Sequence, residues 1–242
     1  MNWLKGLLQG IWFSSRDGPR LFLLAPLIPL LAIVPEAAQH VLEFKLGMFA
    51  SMAAFKAHQM DHLRWAFGIP KLIAYWIAIF SAAVWWAGRF APKDWRQGIL
   101  WKRLGLALML NAALAFAGIP LDRWLTPTAS MVVGSIMLLA WLPALIYLFG
   151  ALFGDHAMTL RQSYRSGWLK LPAIVLYGCL AVLVPQRLHH FDHTLAMGKP
   201  SWMIFTLMSW DALWVGLMAC WLGAAIAHGY GLGRDHSPPS HS

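Results

Sequence analysis

The chain has 242 residues, of which 59% are hydrophobic and only 12% charged, and its net charge is +9. Soluble domains carry about 25% charged residues, and a protein this size has no interior large enough for so much apolar surface, so a water-soluble enzyme is excluded. High hydrophobicity excludes a disordered chain, and two cysteines exclude a disulfide scaffold. An all-α polytopic integral membrane protein remains.

In chain order, Leu4, Leu7, Leu8, Ile11 and Trp12 recur at helical spacing, which predicts an interfacial helix within residues 1–20 on the cytoplasmic side. The run Arg16 to Arg20 (RDGPR) is expected to turn the chain into a first span, and no cleavable signal sequence is expected because no A-x-A site follows. A helix needs roughly 20 apolar residues to cross the hydrocarbon layer. Six segments of residues 21–234 are candidates: 21–35, 69–88, 104–121, 129–153, 168–185 and 201–227. The first is the shortest, carries Pro26 and Pro29, and stops at Pro35 and Glu36. Barrel strands would alternate polar and apolar residues over about 10 positions, whereas these runs are apolar all round. The tail, 235–242, has nothing to bury and is expected to be disordered.

Segment 36–68 is predicted to be an amphipathic helix on the outer face. At about 100° per residue, Glu36, His40, Glu43, His58, Asp61 and His62 share one narrow polar stripe opposite Leu42, Phe49, Met52 and Met60. Such a helix lies in the headgroup layer. Glu36 and His58 would share a site only if the chain folded back near Gly47.

With the N-terminus inside, inner segments hold twelve and outer segments seven of the 19 Lys and Arg residues, so both termini are expected in the cytoplasm. The same distribution explains the net charge: basic loops with Trp95, Trp101 and Trp168 suit anionic membrane lipids, and no nucleic-acid partner is expected.

Two features could carry chemistry. On the outer side, His58 and His62 stand at i, i+4 with Asp61 between them, and His189, His190 and His193 form a second cluster. Imidazole and carboxylate suit zinc, copper, nickel or iron, so a metal or haem site is one reading, and solvated interfacial histidines are the other. Inside the last span, Asp211 lies about ten residues deep, where a carboxylate costs at least about 2.5–3.5 kcal/mol. It would serve as a proton-relay or substrate group, or clamp helices through Asn111, Tyr75 or Tyr177. Ala219, Gly223 and Ala227 form a small-residue stripe suited to close helix packing or to a homo-oligomer contact. No nucleotide-binding or nucleophile-elbow motif occurs, so no catalytic residue is assigned.

The segment Leu160–Lys170 (LRQSYRSGWLK), an Arg-rich amphipathic stretch running directly into an apolar span, resembles the equivalent loop of the YciC-like and glycerophosphodiester-phosphodiesterase-membrane-domain families of six-span bacterial proteins. The resemblance covers about a dozen residues. It implies a bacterial inner-membrane location and carries over no catalytic residue and no cofactor. The expected function is a non-enzymatic binding, assembly, or solute- or lipid-handling role centred on Asp211. An outer-face metal or haem protein is the alternative, and a proton-coupled transporter comes third.

Overall fold

The computed structural model describes residues 2–90, 98–117 and 126–231. The tail 235–242 and the end of segment 104–121 lie outside them. Among the described residues all regular structure is helical. The α-helices are α1 (Asn2–Leu24), α2 (Leu27–Lys45), α3 (Met52–His58), α4 (His62–Phe90), α5 (Trp101–Ala117), α6 (Pro127–Phe153), α7 (Leu160–Arg165), α8 (Leu171–Ala196) and α9 (Ser201–Tyr230), with 3₁₀ turns at Met48–Ala50 and Gly167–Lys170. Five helical stretches are long and apolar enough to cross a membrane: Leu27–Lys45, His62–Phe90, Thr128–Phe153, Gly167–Ala196 and Ser201–Tyr230. Leu72 and Ile73 of α4, Val184 of α8 and Leu139 of α6 are more than half exposed, the surface expected of helices solvated by lipid.

Three boundaries differ from the sequence expectation. Residues Arg16–Arg20 do not turn; α1 continues through Pro19 to Leu24, and the break falls at Ala25 and Pro26. Pro26 caps α2, and Pro29 falls in its first turn, where a missing N–H breaks no helical bond. The first membrane-length helix is therefore Leu27–Lys45, displaced from 21–35, and it runs through Pro35. The second difference follows from the first. Segment 36–68 is not one surface helix, because Glu36, Gln39, His40 and Glu43 are buried residues of α2. Gly47, in the left-handed region at φ 70°, ends that helix, and Ser51 caps α3 by accepting from the Ala54 N–H at 3.1 Å. Third, α8 passes through Pro185 to Ala196, so the 189–193 histidines stand on a helix and not in a loop.

The helices group into two compact units, one built from the chain up to Trp85 with Leu176–His228, the other from Trp86–Val175 with the chain from Gly229. In the second unit, Tyr230 donates its hydroxyl to Asp155 Oδ2 at 2.7 Å, and Lys170 Nζ donates to the Tyr230 carbonyl at 2.6 Å.

In the first unit, α1 buries Ser14, Asp17 and Leu21, while Leu4, Leu8 and Trp12 form an exposed apolar stripe. Asp17 is fully buried and lies 3.0 Å from His228 Nε2 on α9. Burial pushes its carboxyl up, but the His228 hydrogen bond and Arg16 outweigh that and hold it below the ordinary 3.8. A carboxyl depressed in the folded state contributes stability above its unfolded value and loses it as pH falls through the folded one. Asp17→Asn is therefore expected to flatten the fall in thermal stability below about pH 4; an unchanged acid limb would show that this pair contributes nothing.

The small-residue stripe of α9 is used inside the chain. Ala219 and Ala227 are fully buried, and a Cβ on Gly223 would meet the Ala82 methyl and lie 2.6 Å from the Ile79 carbonyl and 2.9 Å from the Ala83 N–H, both on α4. Backbone cannot yield as a flexible side chain does. Gly223→Ala is expected to lower stability by about 1–3 kcal/mol in detergent unfolding, whereas Gly134→Ala, with open space around it, is neutral or slightly stabilising.

Candidate metal centre

Apart from the Asp17–His228 pair and Ser14, the buried polar groups of the first unit gather at the end where α2 and α8 finish and α4 and α9 begin. The short turn Met48–Ala50 folds the chain back over this end. Phe49 packs with Ala196, Ile204 and Met208, and its carbonyl accepts from the Gly198 N–H at 2.8 Å. That contact fixes α2 against the turn between α8 and α9.

Asp211, with no exposed surface, is the centre. His189 Nδ1 lies 2.7 Å from its Oδ1 and 2.9 Å from its Oδ2, His40 Nε2 lies 2.9 Å from Oδ2, and His193 Nε2 lies 3.6 Å from the same oxygen. Glu36 Oε1 adds a further oxygen 3.4 Å from His40 Nε2. Around these stands an outer ring. Glu43 Oε2 lies 3.2 Å from His40 Nδ1, and Glu43 Oε1 accepts from Gln39 Nε2 at 3.0 Å and Arg64 Nε at 2.9 Å. Lys71 Nζ donates to Glu36 Oε1 at 3.1 Å.

Two details bear on what this cluster can hold. His40 has a carboxylate oxygen at each ring nitrogen; only a doubly protonated ring, or a ring with a cation on Nε2, satisfies both. Both ring nitrogens of His193 are buried and make no hydrogen bond, a state that costs about 1–3 kcal/mol unless something else binds them. One ligand atom each from His40, His193 and Asp211, and one each from Glu36, His189 and Asp211, come within 4.8 Å of one another. A tetrahedral ion with ligands at about 2.0–2.1 Å needs ligand atoms about 3.3–3.4 Å apart, so small side-chain adjustments would seat one ion between them.

The residues singled out from the sequence separate here. His189, His193 and Asp211 come together, and His40, Glu36 and Glu43 join them. His58 and His62 do not: they flank Asp61 at 3.7 and 3.9 Å, with side chains 41% and 89% exposed, away from the cluster. Asp61 itself accepts the Leu63 N–H at the start of α4, and that bond holds its carboxyl below the ordinary value. His190 is exposed, pairs with Gln186 at 3.3 Å, and lines a cavity beside His189 and His193. Asn111 belongs to the second unit, where its amide donates to the Ala107 and Ala144 carbonyls at 2.8 and 3.2 Å. Tyr177 donates to the Leu7 carbonyl at 3.2 Å. The members of the cluster that the sequence did not join to it are Glu36 and His40, whose signal is three ionisable side chains within eight residues on one stripe of an apolar segment.

Comparison with protein-family models, with curated proteins and with solved structures finds no match for this chain.

Proposed function

We propose that this chain is a multi-span protein of a bacterial cytoplasmic membrane that binds one divalent transition-metal ion at the outward end of its helices, through His40, His189, His193 and Asp211, with Glu36 beside them. The convergence of three imidazoles on one buried carboxylate carries this reading. Charge supports it as well. Three buried carboxylates of the cluster (Glu36, Glu43 and Asp211) stand against Arg64 and Lys71, so neutral imidazoles leave a net negative charge, which a divalent cation offsets. Nitrogen and oxygen donors without a thiolate favour zinc, and iron(II) or manganese next. Three rings aimed at one carboxylate suit a single ion better than a porphyrin.

The membrane part of the proposal has six spans: the five membrane-length helices, and α5, whose apolar sequence continues to residue 121. The excess of Lys and Arg in alternate loops supports cytoplasmic termini, which puts the metal centre on the outer side. Asp211 is then the polar centre of a binding protein, held by histidines.

Metal analysis of protein purified in detergent without chelators tests this. About one equivalent per chain is expected, retained in the His58→Ala/His62→Ala double variant and lost in His189→Ala/His193→Ala. Metal-free protein that also fails to take up added zinc would overturn the proposal.

A further inference from the structure

The ion's position would not be enclosed. A cavity of about 310 Å³ reaches the cluster from the outward end of the first unit, within the size range of small-molecule sites. His40 and Asp211 stand behind it, whereas Glu36, His189 and His193 line it directly. Metal sites that serve only folding surround the ion with protein ligands; sites that act on other molecules keep one position open. Here the open side would face the cavity.

The walls of the cavity differ in chemistry. Arg64 and Lys71 present hydrogen-bond donors, and Met52, Phe55 and Met197 form an apolar side. Arg64 commits Nε to Glu43 and Nη1 to the Gln59 carbonyl, which leaves Nη2 to donate. Met52 is 46% exposed, and α3, which carries Met52 and Phe55, buries none of its residues. The apolar side is thus formed in part by an exposed short helix.

Resting on the metal reading above, we infer that the cavity binds an amphiphile with an anionic oxygen head, a carboxylate or a phosphate, whose head ligates the metal beside Arg64 and Lys71 while its tail leaves along Met52, Phe55 and Met197. Phospholipids and free fatty acids share this chemistry. An open metal position supplies the bond to oxygen, the two cations supply charge-assisted hydrogen bonds, and the apolar side gives preference for a chain over a bare anion.

Cobalt(II) substituted for the metal reports ligand exchange in its visible absorption. Protein loaded with one cobalt per chain in maltoside micelles is titrated with acetate, octanoate and octyl phosphate. The expected result is a spectral change with all three, with octanoate at least tenfold tighter than acetate. The tighter of octanoate and octyl phosphate tells a fatty-acid head from a phospholipid head. Met52→Ser/Met197→Ser is expected to bring octanoate to the level of acetate, and Lys71→Met to weaken both. A cobalt spectrum that no anion changes, or equal affinity for acetate and octanoate in the unsubstituted protein, overturns the inference while leaving the metal site standing. Failure to bind cobalt at all overturns the metal reading instead.

Discussion

Asp211→Asn is expected to weaken zinc binding by at least about a hundredfold. Structural zinc binding is worth roughly 10–16 kcal/mol, which over four ligands is on the order of 3 kcal/mol each, about a hundredfold in affinity. The loss should exceed that share, because Asp211 is the oxygen toward which His40, His189 and His193 all point. The amide keeps the shape of the carboxylate, so folding can be followed separately. An ion held only by the folded state stabilises it by about 4 kcal/mol at a thousand times its dissociation constant. Chelator is therefore expected to lower the Tm of the unsubstituted protein and to leave that of Asp211→Asn unchanged. If chelator shifts neither, the cluster is a hydrogen-bonded network held by protonated histidines, and Asp211 only clamps α2, α8 and α9.

The second large effect belongs to a residue that would not touch the ion. Glu43 lies 3.2 Å from His40 Nδ1 and is itself held by Gln39 and Arg64. A carboxylate behind a ligating imidazole fixes its tautomer and orientation and raises its basicity, and loss of such a partner costs about 10–100-fold in metal affinity. Glu43→Gln is expected to weaken zinc by that factor in a competition titration with a chromophoric chelator, while leaving the stoichiometry at one. Glu43→Asp should recover part of the loss. Equal zinc affinity in Glu43→Gln would assign Glu43 to the Arg64 ion pair alone.

The centre was half legible in the sequence. His189 and His193, four residues apart, and Asp211, deep in an apolar run, were visible as exceptions to the composition. His58 and His62 have the same spacing yet, among the described residues, pair with Asp61 at the surface. Spacing places two rings on one helical face, but tertiary packing decides what that face meets. His40, Glu36 and Glu43 lay on a recognised polar stripe but were assigned to the headgroup layer. Their burial depends on where α2 begins and ends. Pro26 starts that helix six residues later than the apolar run suggests, and Gly47 folds the chain back. Glycine permits such a reversal without requiring it. Pro185 misled in the same way, since a helix can pass a proline at the cost of one hydrogen bond. The small-residue stripe of α9 was readable as a packing face, but its partner, α4 of the same chain, was not.

X-ray absorption at the zinc edge tests the metal centre most directly, because it reads ligand type without relying on activity. The account predicts a four- or five-coordinate ion with nitrogen and oxygen ligands at about 2.0–2.2 Å, imidazole scattering from three rings, and one ring fewer in His40→Gln. A shell of water oxygens without imidazole scattering, or a spectrum that His40→Gln leaves unchanged, would contradict it.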